Sequence, residues 1–472
     1  MNILADFLEK APRFGTRPAI IEGTGRTASF DAIIRDSASL AHAWQRNGLK
    51  AGDRALIAMP LGIDLYIGLA ALWRLGAVAV FSEPALGLAG LRHAARITWP
   101  DAFLTGGWYE ALRYLVPELW RVRRVLRVNP ASAPPDDLAN VSPETPALIS
   151  FTSGSTGAPK AISRSHGFLA AQNAAVSALI APRHDRETDL VAFPVFVIAN
   201  LALGITSVLP NWNLRRHHEA QATDIIAHLR QFDVKRALIP PSICEILAQC
   251  DQPVGLDAIF TGGGPVFPDM IERLLKRNGE CDITAVYGST EAEPIAHLHL
   301  RDIQPEDWQG MRSGAGLLAG SPVPDVRLML RDEEIIVSGA HVNKGYLDPA
   351  QDASTKLTIE GEIWHRTGDA GRLDAQGRLW LLGRHGERIA GLHPFSVETA
   401  ARFWPGVRRA ALVGIEDRAI LAIEGDETHR ANWQREADAF GDLRVTPVAA
   451  IPLDKRHRSK VNYPALRRML GR

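Results

Sequence analysis

The sequence predicts an α/β protein, with a large multi-lobed N-terminal region of βαβ sheets and a small α+β C-terminal domain. Three observations carry that prediction. Strand-like and helix-like runs alternate through residues 1–140. Later strand-like runs each end on Gly, Pro or Ser, as where open α/β sheets bind ligands. After Glu334 long helical stretches give way to short strands and glycine turns. At about 150 residues per domain, a chain of 472 residues holds roughly three units or lobes.

The elements follow in order. Residues 53–59 read as a strand, 63–75 as an apolar helix and 76–81 as the next strand, which is one βαβ unit. Residues 129–146, rich in Pro, Ala, Ser and Asp, read as an exposed loop. Residues 146–152 form a strand that runs into a Gly/Ser/Thr turn, and a helical pattern spans 165–179. Residues 191–210 carry no charge and match a membrane span in length, but Pro194, Asn200, Gly204, Thr206 and Ser207 make them a buried strand–turn–helix. Further strands are expected at 236–239, 258–260, 283–287, 334–339 and 378–383. The domain boundary is expected at 382/383, leaving residues 383–472 as a small mobile unit.

Composition narrows the classes. Lys plus Arg and Asp plus Glu are 53 each, so the formal net charge is zero. That excludes a generic footprint for nucleic acid or an anionic membrane, though not a local anion site. Cys244, Cys250 and Cys281 form no CxxC pair and suggest neither a disulfide framework nor a zinc site. The N-terminus lacks the basic-then-apolar order of a signal peptide, and a cytoplasmic soluble protein without a membrane span is expected.

The strongest chemical signal is Phe151-Thr-Ser-Gly-Ser-Thr-Gly-Ala-Pro-Lys160. Its glycines let backbone N–H groups approach an anion, its hydroxyls add donors, and Lys160 adds a charge, which suits a polyphosphate. It is not the P-loop of kinases and GTPases, whose glycines stand four residues apart before Gly-Lys-Ser/Thr. Alone, a short Gly/Ser tract is more often a solvated loop. It is not alone. Val286-Tyr-Gly-Ser-Thr-Glu291 closes another strand and offers a ring, a hydroxyl and a carboxylate. Trp364-His-Arg-Thr-Gly-Asp369, Leu382-Gly-Arg384 and Ser459-Lys-Val461 follow, and Asp369 beside a glycine turn is a bidentate acceptor for two ribose hydroxyls.

In this order these segments resemble the adenylate-forming superfamily, which comprises acyl-CoA synthetases, luciferases and peptide-synthetase adenylation domains, from Gly52 to Lys460. The resemblance implies that fold and an enzyme joining a carboxylic acid to AMP with release of pyrophosphate. It implies that Thr152, Ser153, Gly154, Ser155, Thr156 and Gly157 hold the phosphates of ATP, with Thr156 catalytic and Lys160 secondary. Gly262, Gly263 and Gly264 would lie along adenine, with Tyr287 stacked on it. Gly288, Ser289 and Thr290 would bind the nucleotide, Thr290 at the α-phosphate, Glu291 would hold Mg2+, and Asp369 and Arg384 would bind ribose. Lys460 would reach the α-phosphate and the carboxylate. A lysine about 4 Å from a phosphate oxygen is worth ~4 kcal/mol at an effective dielectric of about 20.

Two departures refine the expectation. Phe193-Pro-Val-Phe-Val197 places Val197 where the family often has His or a large aromatic, so Phe196, Val197 and Asn200 are expected to line a pocket for an apolar, long-chain acid. After Arg384 the hinge has Ala390 in place of a lysine and is a few residues short before Pro394, which weakens the case for coenzyme A. Phe193-Pro-Val-Phe, Gly263-Gly-Pro-Val-Phe267, residues 383–388 and Asp454-Lys-Arg-His look like the β-lactone synthetases of bacterial olefin biosynthesis, which activate 3-hydroxy acids and need no CoA. Transfer to CoA or a carrier-protein thiol, or a non-catalytic nucleotide-binding homologue, stays open. His217, His218, His297 and His299 read as solvated or packed rather than metal-binding, Arg215 and Arg216 as a solvated face, and Ser165-His166 lacks a nucleophile elbow.

Overall fold

Strand after strand in the first half ends in a helix that returns over the sheet, and two sheets grow from this repetition. A computed structural model describes residues 1–82, 86–130, 137–151, 159–214, 216–416, 418–454 and 459–471, without the side chains of His218 and Asn278. Among the described residues, six strands form one sheet in the order Arg124–Leu126, Ala102–Thr105, Arg54–Ala58, Val78–Phe81, Pro146–Phe151 and Ala161–Ser165. All are parallel except the last. The strand Ala161–Ser165, folded back on Pro146–Phe151, lies where only a turn and a helix start are expected.

A second sheet of fourteen strands has a parallel block, Pro18–Ile21, Thr206–Val208, Thr188–Val191, Arg236–Leu238, Ala258–Gly262 and Asp282–Ser289. It then turns antiparallel at Ala292–His299 and continues through Leu317–Pro322, Leu379–Arg384, Glu362–Leu373, Glu334–Gly339 and Val326–Arg331. The change of texture therefore begins before Glu334, and Glu362–Leu373 is a long strand of 12 residues rather than a short one.

Both sheets bury apolar faces in one core around the helices Phe30–Arg46, Ile63–Arg74, His166–Leu179 and Pro194–Leu203. Ile63–Arg74 is apolar on every side because it lies inside that core, and even Arg74 is buried, donating to Ser37 Oγ at 3.0 Å. Residues 191–210 form the end of a strand, the helix Pro194–Leu203 and the strand Thr206–Val208. Among the described residues no helix is long and apolar enough to cross a membrane.

The strand Leu379–Arg384 carries the chain just past residue 382. The turn that follows holds Ala390 at φ +50° and Gly391 at φ +81°, and Arg388 pairs with Glu333 at 2.7 Å. Beyond it, Val407–Ile415, Arg418–Gly425 and Leu443–Pro447 form a separate three-stranded sheet packed by the helices Pro394–Ala401, Arg430–Asp438 and Tyr463–Leu470. This small unit rests on the large one through rings and charge: Phe395 packs edge-on against Phe267 at 6.1 Å and Phe403 against Trp308 at 6.2 Å between centroids. Arg402 donates to both carboxylate oxygens of Asp269, at 2.7 and 2.9 Å, and Arg402 and Arg409 both reach Glu245.

Candidate active site

The parallel strands Ala258–Gly262 and Asp282–Ser289 end side by side, with Gly262 opposite Val286. A Cβ at Gly262 would stand 2.5 Å from the Val286 carbonyl oxygen, so only glycine allows this approach. Gly263 follows in the left-handed region at φ +78°. Tyr287, near the end of its strand, donates its hydroxyl to Asp369 Oδ2 at 2.8 Å. Arg384, the register partner of Asp369 on the next strand, donates to Asp369 Oδ1 at 2.7 Å. Three distant stretches of sequence thus form one chain of contacts. Burial, followed by the Asp369 charge, pushes the Tyr287 phenol up and keeps it a neutral donor.

Thr290 and Glu291 form the tip between the strands Asp282–Ser289 and Ala292–His299. Arg164, from Ala161–Ser165, donates to the Thr290 carbonyl at 2.6 Å and to Ser150 Oγ at 3.1 Å, clamping the tip to the strand that leads into the Gly-rich segment. Tyr346 donates to Glu291 Oε1 at 2.8 Å. Lys160 Nζ and Lys356 Nζ lie 5.0 and 5.3 Å from the centroid of the Tyr346 ring. Lys356 also donates to the Asn343 carbonyl and sits 3.2 Å from His365 Nδ1. Burial lowers Lys356 to about 8, against the opposing pull of Glu291 and Asp352. Burial, followed by the Lys356 charge, depresses His365 and leaves its ring neutral. A carboxylate and two ammonium groups therefore face one another across a tyrosine.

Sequence reasoning missed Arg164, Tyr346 and Lys356. Alternation along residues 161–165 signals that Arg164 points inward, whereas Lys356 lies in a polar run with no periodicity to mark it.

Thr152, Ser153, Gly154, Ser155, Thr156 and Gly157 lie outside the described residues. Their flanks pair as a hairpin, Phe151 opposite Ala161, so the segment connects two antiparallel strands. The C-terminal segment reaches the same region. A Cβ on Gly264 would meet Ser459 Oγ at 2.3 Å and Ser459 Cβ at 2.8 Å, which sets Lys460 one residue from the glycine turn. Asp454 Oδ1 accepts from the N–H groups of Ser459 and Lys460 and fixes that segment. The buried hydroxyl oxygens of Ser289 and Ser459 have no hydrogen-bond partner among the described residues, an arrangement that fits a polar ligand.

Phe193 bridges the turn and the expected acyl wall. Its ring lies 3.7 Å from where a Gly263 Cβ would be and packs edge-on against Phe196 at 5.6 Å. Phe196 and Val197 are buried in the shared core. Asn200 is wholly buried and its amide donates to Asp189 Oδ2 and Ser207 Oγ, both at 3.1 Å, beside the Asp189–Arg236 ion pair, while its Oδ1 has no hydrogen-bond partner among the described residues. Ser165 caps the helix His166–Leu179, and His166 Nδ1 accepts from the Ile3 N–H at 3.2 Å, with burial lowering the ring to about 4. The rings of His297 and His299 pack edge-on at 5.2 Å, and His299 Nδ1 lies 2.9 Å from Thr284 Oγ1.

Comparison with known proteins agrees with this geometry. The family model described as AMP-binding enzyme matches residues 7–347. The olefin β-lactone synthetase of Xanthomonas campestris pv. campestris is 25% identical, over 93% of this chain and 90% of that protein. The 2-succinylbenzoate–CoA ligase of Bacillus licheniformis is 26% identical, over 85% of this chain and 84% of that protein. Among solved structures, the O-succinylbenzoate coenzyme A synthetase of Bacillus subtilis in complex with AMP superposes with a TM-score of 0.77 at 20% identity, covering 98% of this chain and 97% of that one. The chain belongs to the AMP-binding enzyme family and is an AMP-forming acid ligase.

Proposed function

We propose that the enzyme activates an apolar 3-hydroxy fatty acid with ATP and closes the resulting acyl-adenylate to a β-lactone. The convergence of Tyr287, Asp369 and Arg384 with the Thr290–Glu291 tip and the Ser459-contacting glycine turn supports the adenylation step of this reading, because it brings together the groups expected to hold the nucleoside and the phosphates. Asp369, with Tyr287 and Arg384 holding its two oxygens, presents a fixed carboxylate to the ribose. The substrate carboxylate attacks the α-phosphorus and the bond to pyrophosphate breaks. Lys460 and the Lys160–Lys356 pair offset the meeting of two anions. The 3-hydroxyl oxygen then attacks the acyl carbon, its proton leaves to solvent, and AMP departs. Ring closure within one molecule gains from high effective molarity.

Glu291, one oxygen engaged by Tyr346, suits Mg2+, which takes one or two carboxylates and completes its shell with phosphate and water. Bound there, Mg2+ would supply charge neutralisation on the phosphates. The likeness to olefin β-lactone synthetases supports lactone closure, as does Ala390 standing where the sequence resemblance leads one to expect a lysine. The likeness to acid–CoA ligases favours a thioester as the second reading. Product mass spectrometry with ATP and 3-hydroxy acids, with and without CoA, separates them: a β-lactone formed without CoA is expected, and a strictly CoA-dependent thioester overturns the proposal.

A further inference from the structure

Eight of the thirteen exposed large hydrophobic side chains among the described residues fall within residues 86–120. Trp99, Trp108 and Trp120 are 64, 69 and 65% exposed, with Tyr114 and Leu115 beside them in sequence. Leu86, Leu88 and Ile97 lie on or next to the helix Gly87–Thr98. The segment has an inner face too: Leu91, Ala95, Leu112, Val116 and Leu119 are buried against the six-stranded sheet. The outward aromatics are therefore surplus to the core.

Two features show that this face is built and held. Trp99 occupies the left-handed position after its helix, at φ +48°, where glycine is usual. The Arg121 guanidinium stands 3.7 Å from the Trp99 ring centroid, and the same arginine donates to the Ala95 carbonyl, tying the two ends of the face together. Charge is equally one-sided. Residues 86–127 carry seven arginines against Asp101, Glu110 and Glu118, an excess of four positive charges in a chain of zero net charge. Glu118 is held by Arg92 and Glu110 by Arg127.

We propose that residues 86–127 form a docking surface for an anionic lipid bilayer, with the tryptophans, Tyr114 and Leu115 seated at headgroup level and the arginines on lipid phosphates. Tryptophan and tyrosine favour that interface, and clustered arginines are drawn to anionic lipid. A second copy of the chain fits less well, because a two-fold pairing would set the positive excess against itself. Whole-chain neutrality excludes a footprint spread over the protein and leaves this local one intact.

The test is co-sedimentation of the full chain with vesicles of phosphatidylglycerol and phosphatidylcholine, or of phosphatidylcholine alone. Binding to the anionic vesicles is expected, at least about tenfold tighter than to neutral ones and lost in high salt. A triple variant, Trp108→Ser, Tyr114→Ser and Leu115→Ser, and separately a double variant, Arg96→Glu and Arg123→Glu, are each expected to weaken binding about tenfold or more and leave ATP–pyrophosphate exchange unchanged. Equal sedimentation of wild type and variants, or none with anionic vesicles, overturns the proposal. So does a wild-type dimer that the triple variant converts to monomer, since the face then belongs to a second copy.

Discussion

Replacing Gly264 by Ala tests whether the C-terminal segment works against the glycine turn. The new Cβ would stand 2.3 Å from Ser459 Oγ and 2.8 Å from Ser459 Cβ, whereas ordinary contacts begin at 3.4 Å. The hydroxyl can rotate away, but the Ser459 Cβ is fixed to the backbone, so the segment bearing Lys460 must retreat by several tenths of an ångström. Overpacking of this kind costs about 1–3 kcal/mol. If that cost falls on the docked pose in which Lys460 acts, adenylation slows by about 5- to 150-fold at 1.36 kcal/mol per decade. ATP–pyrophosphate exchange reads this step directly. The second substitution, Ser459→Gly, removes the colliding atoms, and the double variant is expected to regain most of the lost rate. A Gly264→Ala enzyme with wild-type exchange would refute the reasoning. A double variant as slow as the single one would also refute it, by placing the damage in the turn itself.

Lys460→Ala is expected to lower exchange by roughly 100-fold or more, by analogy with loss of one oxyanion donor, and unchanged exchange would leave Lys460 no part in adenylation. Tyr346→Phe removes the donor 2.8 Å from Glu291 Oε1, a bond worth about 1 kcal/mol or somewhat more. Mg2+ titration of the exchange reaction is expected to show a several-fold change in the Mg2+ requirement, and an unchanged curve would separate Tyr346 from the Glu291 site. Glu398 is wholly buried, and burial raises it to about 7 from 4.5, against hydrogen bonds from the Leu412 N–H and the Tyr463 hydroxyl. The folded state therefore holds the Glu398 proton more tightly than the unfolded chain. Its contribution is complete below about 4.5 and lost as pH rises through 7, by at most about 3 kcal/mol. Thermal melts from pH 5 to 8 are expected to fall further for wild type than for Glu398→Gln, and parallel curves would show that Glu398 does not titrate in this range.

Many strands were legible because each is a short apolar run closed by a breaker: the antiparallel strand Glu334–Gly339 matches its predicted span, and the parallel strands Arg54–Ala58 and Pro146–Phe151 differ by a residue or two at their ends. Strand order was not legible, because which strand pairs with which depends on non-local packing. Nor was the 12-residue strand Glu362–Leu373, whose bulges and polar stretch hide its period. In the site, Tyr287, Glu291, Asp369 and Arg384 could be named because motifs mark them. Arg164, Tyr346 and Lys356 act through partners 55 to 126 residues away or through a shared ring, and no local pattern records such meetings. At Asn200 a polar residue on an apolar helix suits a ligand and a buried Asp–Ser pair equally well, and sequence alone does not choose between them.

The junction of the two units has a consequence for its response to salt. Arg402, Arg409 and Arg388 meet Asp269, Glu245 and Glu333 across it, beside the ring contacts Phe267–Phe395 and Trp308–Phe403, so the junction is part ionic and part apolar. An apolar seam would lose its whole hydrophobic gain on parting. Guanidinium and carboxylate groups instead recover hydration that nearly matches what they give up. The ionic share of the junction is thus the part that dissolved salt weakens, while the ring contacts keep their hydrophobic gain.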